Sequence, residues 1–159
     1  MSERAQELAR RFDEANNDLI ATIEGCTDEQ LQIPTPEGWS VLMCAYHVAA
    51  SMPDQLRWLP EVAAGHDVPF TWDDINRRNE EQITHQQELT RDKTLASLRE
   101  NGAAIASTVR SLGDAQLATS ALVDFADNKA LTADQFVKWV IIFHMKDHLK
   151  SIRAAIGVS

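Results

Sequence analysis

Two histidines near the C-terminus, His144 and His148 in the stretch FHMKDHLKSIR, are four residues apart. On an α-helix this spacing puts both side chains on one face, with their Cβ atoms about 6 Å apart. Two imidazoles at that separation can bind one metal ion through bonds of about 2.0–2.1 Å. Such a pair also arises by chance, so the spacing alone indicates a metal site only weakly.

A third histidine, His47, lies far upstream in GWSVLMCAYHVAAS, in the middle of an apolar run. A lone histidine on an amphipathic helix is more often a core residue bonded to a backbone carbonyl. The i+4 stripe that holds His144 and His148 also holds Val137 and Ile141, so these histidines are expected to face inward as well. Three buried imidazoles each have a donor and an acceptor to satisfy, which favours one shared metal over three unrelated core histidines.

Helical periodicity extends along most of the chain. Apolar residues spaced three or four apart predict helices over about 3–24 and 40–64, and a segment over about 73–112 that forms two pieces. A last helix is predicted over about 132–156, where Thr132 and Gln135 form a capping box and Gly157 ends it. Pro53 is expected to kink or break the second helix.

The segment DAQLATSALVDFADNKAL is predicted to be a connection with one turn of helix. No strand-like alternation of useful length occurs in the sequence. We therefore predict an all-α protein, a four-helix bundle formed as one domain over residues 1–159.

Composition limits the classes of function. The chain has 159 residues, 44% of them hydrophobic, a net charge of −9 and a pI of about 4.9. An acidic chain is repelled by phosphate, so we expect no nucleic acid and no membrane surface as partner. The N-terminus is charged throughout and WVIIF is too short to span a bilayer. Cys26 and Cys44 form no CxxC pair, so we predict a cytoplasmic protein.

These features together resemble the DinB/YfiT-like superfamily. Trp39, Ser40 and His47 match the Trp-Ser and histidine of its second helix, and HMKDH matches its closing HxxxH. The turn TDEQLQIPTPEGWS and Asn76 fit the same pattern, and the resemblance covers about residues 8–156. It implies a four-helix bundle with up-down-down-up connectivity.

The resemblance also implies a divalent metal bound by three side chains, commonly histidines. The matching positions are His47, His144 and His148, and the implied ion is a transition metal such as zinc, nickel or iron. Ser40 is predicted to be a structural N-cap with Trp39 packed beside it. The catalytic residues stay unassigned.

Members of this superfamily with known activity include thiol-dependent S-transferases and a mycothiol-dependent maleylpyruvate isomerase. Three neutral ligands leave the +2 charge and an open position, which lowers the pKa of bound water towards ~7 or favours a thiolate. The leading hypothesis is a metal-dependent enzyme for a small-molecule substrate. It would be an S-transferase or isomerase that uses a low-molecular-weight thiol, or a hydrolase.

No general base stands out in the sequence. Asp147 points about 100° around the helix from His148, and Cys44 is interpreted as an inert buried thiol. Trp58, Phe70, Trp72 and Tyr46 are candidates for pocket walls, whereas Trp139 and Phe143 are expected to face another helix. The alternative hypothesis is a non-catalytic bundle with a structural metal, which binds a ligand or a protein partner. Either form is expected to be a homodimer.

Overall fold

A computed structural model describes residues 1–158. Its helices are α1 Glu3–Glu24, α2 Asp28–Leu31, α3 Val41–Ala63, α4 Trp72–Thr84, α5 Arg91–Arg110, α6 Asp114–Ala118, α7 Ala133–Phe136 and α8 His144–Ile156. A π-helical segment, Val137–Phe143, joins α7 to α8, so that residues 133–156 form one long last helix. Two 3₁₀ turns, Gln86–Glu88 and Asp124–Ala126, and two strands, β1 Ser120–Val123 and β2 Lys129–Thr132, accompany them. None of the helices in residues 1–158 combines the length and apolar character needed to cross a membrane.

The first and third long helices, α1 and α5, pack side by side in opposite directions. Asp13 pairs with Arg110 near one end of the contact, and Glu24 pairs with Arg99 at 2.7 Å near the other. Because the residue number rises on α1 while it falls on α5, the two helices are antiparallel.

The second long helix, α3, runs antiparallel to the last helix. Gln55 Nε2 donates to the carbonyl oxygen of Val140 over 3.3 Å, and Cys44 Sγ lies 3.4 Å from Nδ1 of His148. Gln55 follows Cys44 on α3, whereas its partner Val140 precedes His148 on the last helix, so the two helices run in opposite directions.

The last helix runs parallel to α1, because Arg4 in the first turn of α1 pairs with Asp134 in the first turn of α7. If α1 is up, then α3 and α5 are down and the last helix is up. This order confirms the predicted four-helix bundle and its up-down-down-up connectivity. Buried apolar side chains from all four helices fill the space between them.

The predicted helix ends agree with the structure. Ser40 Oγ accepts a hydrogen bond from the backbone N–H of Met43 at 3.0 Å and caps α3. Thr132 and Gln135 form the capping box of α7, and Gly157 ends α8 in the left-handed conformation, with φ of 75°. Side-chain caps satisfy N–H groups that have no partner inside the helix.

The sequence predicts that Pro53 kinks or breaks the second helix, and of these two effects the break is wrong, because α3 continues through it. A proline has no N–H for the carbonyl four residues earlier, which here belongs to Ala49. Asn101 of α5 supplies the missing donor, since its Nδ2 lies 3.1 Å from that carbonyl oxygen. A tertiary contact thus replaces the backbone hydrogen bond.

The connection after α6 also contains a small antiparallel hairpin that the sequence analysis missed. β1 and β2 pair from Ser120 with Thr132 to Val123 with Lys129. Each strand has only four residues, the lower limit for recognising alternation, and the burial of β2 does not alternate. The backbone N–H of Val68 also donates to Leu122, which ties the hairpin to the loop after α3.

Candidate metal centre

The three histidines singled out in the sequence lie together between α3 and α8. Nε2 of His144 is 3.1 Å from Nε2 of His47 and 3.2 Å from Nε2 of His148. Two metal–nitrogen bonds of about 2.05 Å, at a near-tetrahedral angle, hold their nitrogens roughly 3.3–3.4 Å apart. Two of the three separations are therefore close to those around a single ion, and the ligand atoms of all three histidines lie within 4.8 Å of one another.

Hydrogen bonding also fits a cation at this point. Oε1 of Gln82 accepts a hydrogen bond of 2.8 Å from Nδ1 of His47, so that Nε2 of His47 presents a lone pair. Nε2 of His144 has one hydrogen or one lone pair and can make only one well-directed hydrogen bond, yet it faces two nitrogens. The three imidazoles cannot satisfy one another, whereas an ion would satisfy all three.

The surroundings keep the three rings neutral. Burial lowers the pKa of His47 to about 4, despite the opposing hydrogen bond to Gln82. Burial, followed by repulsion from the other two rings, holds the pKa of His144 well below its usual range. Burial also lowers the pKa of His148, although Glu37 and Asp147 oppose that shift. The neutral imidazole is the form that binds metals.

Cys44 belongs to the surroundings of this cluster. Its Sγ lies 3.4 Å from Nδ1 of His148, the nitrogen that faces away from the other two histidines. Burial raises the pKa of Cys44 to about 12, so the thiol is protonated at neutral pH. It can orient the ring of His148, but it is not a ready nucleophile.

A cavity of about 570 Å³ opens beside the histidines. All four tryptophans of the chain line it: Trp39, Trp58, Trp72 and Trp139. Trp39 packs against His47, with 4.8 Å between ring centroids, so it contacts the cluster as well as the start of α3.

Of the other predictions for aromatic side chains, one is confirmed and the others are wrong. Phe70 lines the cavity as predicted, whereas Tyr46 does not. Trp139 and Phe143 also line it and are 54% and 62% exposed. The expectation that they face another helix is therefore wrong, and the π-helical segment presents both side chains to the cavity mouth.

Helix α4 forms one wall of the cavity, whereas the sequence pattern predicts a pocket position only for Trp72, its first residue. Trp72, Ile75, Asn79 and Gln82 follow one another at helical spacing and line the cavity together. None of the α4 side chains is buried. Gln82 stands among several polar residues in RRNEEQITHQQE, so nothing in the sequence distinguishes it. Only its contact with His47 does.

Two carboxylates lie near the cluster. Asp147 lines the cavity next to His148. Glu37 lies close by and accepts a hydrogen bond of 2.6 Å from Ser151. Burial would raise the pKa of Glu37, but its hydrogen bonds outweigh burial and lower it. Both carboxylates add negative potential beside a prospective cation site.

The family model of the DinB superfamily matches residues 11–152. The chain belongs to this superfamily. No curated protein matches the sequence, but solved structures share the fold. YfiT from Bacillus subtilis, a probable metal-dependent hydrolase with an unusual four-helix bundle topology, is 18% identical with a TM-score of 0.77, over 100% of this chain and 91% of that one.

Two further structures are similar at lower identity. The mycothiol-dependent maleylpyruvate isomerase is 13% identical with a TM-score of 0.74, over 96% of this chain but only 63% of that one. The colibactin self-resistance protein ClbS, crystallised in complex with a dsDNA, is 14% identical with a TM-score of 0.72, over 95% of this chain and 94% of that one.

The complex of ClbS corrects one expectation. The net charge predicts no nucleic-acid partner, and this prediction is wrong as a general exclusion, because a protein of the same fold is crystallised with dsDNA. The physical reason is that phosphate contacts depend on where cations lie on the surface, whereas net charge averages over all of it. The acidic composition of this chain therefore does not exclude nucleic acid as a partner.

Proposed function

We propose that this protein is a metal-dependent enzyme that binds one divalent transition metal, such as zinc, nickel or iron, through His47, His144 and His148. The observation that carries the proposal is the convergence of three neutral Nε2 atoms at 3.1 and 3.2 Å. Such an ion, when bound, supplies positive charge that favours the deprotonated form of water or of a thiol. The substrate would be a small molecule whose reacting group lies in the cavity beside the three histidines.

The surrounding residues orient the ligands and offer apolar surface beside them. Gln82 holds the proton of His47 on Nδ1, so that Nε2 faces the centre. Tryptophan and phenylalanine side chains in the cavity walls present apolar surface to a ligand next to the histidines. Asp147 is our candidate for the proton acceptor, because it lines the cavity beside His148 and its carboxylate has no ion-pair partner among residues 1–158.

Two reaction classes follow from the nucleophile. Water gives hydrolysis, and a low-molecular-weight thiol as cosubstrate gives S-transfer or isomerisation. YfiT and the mycothiol-dependent isomerase support these classes only by shared fold. A screen should therefore offer ester and amide substrates with water alone, and electrophiles with added thiols. Because ClbS is crystallised with dsDNA, the screen should also include DNA.

The decisive measurement is metal content by elemental mass spectrometry on untagged protein. We expect near one equivalent of a transition metal, lost in the His144→Ala/His148→Ala variant. The matched control is His66→Ala/His85→Ala, which removes two exposed histidines that lie outside the cluster. Wild-type protein that stays metal-free after reconstitution would contradict the proposal.

The second candidate is a non-catalytic bundle with a structural metal. Cys44 against His148 and the burial of the cluster favour it, since structural sites are closed. Removal of the metal separates the two candidates. A structural ion should contribute several kcal/mol to folding, whereas a catalytic ion should affect turnover more than stability. Loss of activity in Asp147→Asn with full metal content would favour the enzyme.

A further inference from the structure

Exposed aromatic surface is concentrated at one place on the molecule. Within residues 1–158, the aromatic side chains that are more than half exposed are Trp72, Trp139 and Phe143, at 57%, 54% and 62%. All three line the cavity beside the histidines. Clustered apolar side chains that are left open to water usually mark a binding site.

The aromatic surface continues inward from this mouth. Trp58 lies 4.9 Å from Phe70 and 5.0 Å from Phe125 between ring centroids. At the inner end, Trp39 packs against His47. A molecule in the cavity would therefore contact flat apolar rings from the mouth to the histidine cluster.

Charged groups in the walls are largely compensated within the protein. Arg78 lies 3.6 Å from Asp54 and also covers the ring of Phe70, at 5.8 Å from its centroid. Lys129 lies 3.9 Å from Asp127. The carboxylate of Asp147, unpaired among residues 1–158, lies at the inner end, beside His148. The walls away from it therefore present no uncompensated cation to bind an anionic group along the body of a ligand, and they favour an uncharged body.

We propose that the cavity binds an uncharged substrate with a flat, aromatic-sized apolar body, whose polar reacting group faces His47, His144 and His148. The volume of about 570 Å³ suits one drug-sized molecule. A second copy of the chain could cover the mouth but would not fill a concavity that reaches the histidines. The placement of the reacting group rests on the proposed function, whereas the nature of the body does not.

Three probes separate the body from the reacting group. Naphthalene-2-hydroxamic acid has a flat body and a metal-binding head, acetohydroxamic acid has the head alone, and naphthalene-2-carboxamide has the body with a weakly metal-binding head. Since all four tryptophans line the cavity, quenching of intrinsic fluorescence reports binding directly. The protein is the full chain, reconstituted with zinc and also metal-free.

The naphthyl hydroxamate should bind zinc-loaded protein tighter than acetohydroxamate by a factor of about 30–100, as expected for burying roughly 100 Å² of ring. Trp139→Ala should remove most of that factor, and Trp139→Phe should restore it. The matched control is Leu122→Ala, which removes an exposed apolar side chain outside this cavity and should keep the full factor.

The outcomes distinguish this inference from the metal proposal. Equal affinity of the two hydroxamates, with binding lost in His144→Ala, would overturn the aromatic body and leave the metal site standing. Naphthalene-2-carboxamide that binds metal-free protein in a Trp139-dependent way would support the body even if no hydroxamate recognises a metal. A wild-type dimer that Trp139→Ala turns into a monomer, with no probe bound, would show that a second copy covers the mouth and would overturn the inference.

Discussion

Nδ1 of His47 on α3 donates a hydrogen bond of 2.8 Å to Oε1 of Gln82 on α4. This bond connects a helix that has no buried side chain to the histidine of the cluster that has the smallest exposed fraction. No side chain of α4 is buried, whereas His47 is 5% exposed. It makes α4 part of the site rather than a simple connection.

Gln82→Leu should lower metal affinity by about 10–100-fold, the usual effect of losing a partner that orients a histidine ligand. Gln82→Glu keeps an acceptor for Nδ1 and should bind at least as well as the wild type. Chelator competition measures both affinities, and Gln87→Leu, on the exposed turn after α4, is the control. Unchanged affinity in Gln82→Leu would remove α4 from the site.

The side chain of Asn101 should stabilise the folded protein, because Pro53 has no backbone N–H to donate to the carbonyl of Ala49. Asn101→Ala leaves the buried carbonyl of Ala49 without its 3.1 Å partner and should cost about 1–3 kcal/mol in the free energy of unfolding. In a Pro53→Ala background the restored N–H can donate instead, so the same change should cost less. A double-mutant cycle from urea unfolding measures the difference. Equal costs in both backgrounds would show that the two residues act independently.

Gly102 on α5 is constrained by Asn16 on α1. A Cβ at position 102 would lie 2.2 Å from Nδ2 of Asn16, which itself donates to the carbonyl of Leu98. Gly102→Ala should therefore destabilise the protein by about 1–3 kcal/mol, although alanine favours helices. Adding Asn16→Ala should recover part of the loss, and Ala103→Gly is the control for helix propensity. Thermal and urea unfolding would contradict this if Gly102→Ala were more stable than the wild type.

The interaction of Asp134 with Arg4 should make a pH-dependent contribution to the free energy of unfolding. The hydrogen bond from Arg4 lowers the pKa of its carboxyl, with further help from Lys138 and against its partial burial. The folded pKa is below the unfolded one, so this contribution is present above about pH 4 and is lost as pH falls through the folded pKa. Because Arg4 is 42% exposed, we expect only about 0.5–1 kcal/mol.

The measurement is the difference in unfolding free energy between wild type and Asp134→Asn, followed from pH 7 down to the acid limit of folding. The difference should shrink as the solution becomes acidic. Asp18→Asn, on the exposed side of α1, controls for the loss of one charge. A difference that stays constant over this range would show that Asp134 acts through packing alone.

The sequence by itself determined the helices and the residues of the cluster. Apolar spacing, the Ser40 cap and the box formed by Thr132 and Gln135 are local signals, because a helix is set by neighbours within a few positions. The spacing of the histidines and the resemblance to a family both indicated His47, His144 and His148 as one set. The four-residue strands and the helical continuity at Pro53 were beyond such signals.

Only the tertiary structure decided which groups surround the histidines. Gln82 meets His47 across 35 positions of sequence, and Cys44 meets His148 across 104. The direction of Trp139 depends on the π-helical segment, which turns side chains away from the positions that a regular helix would give them. These relationships depend on how distant elements pack, and a pattern confined to one segment does not contain that information.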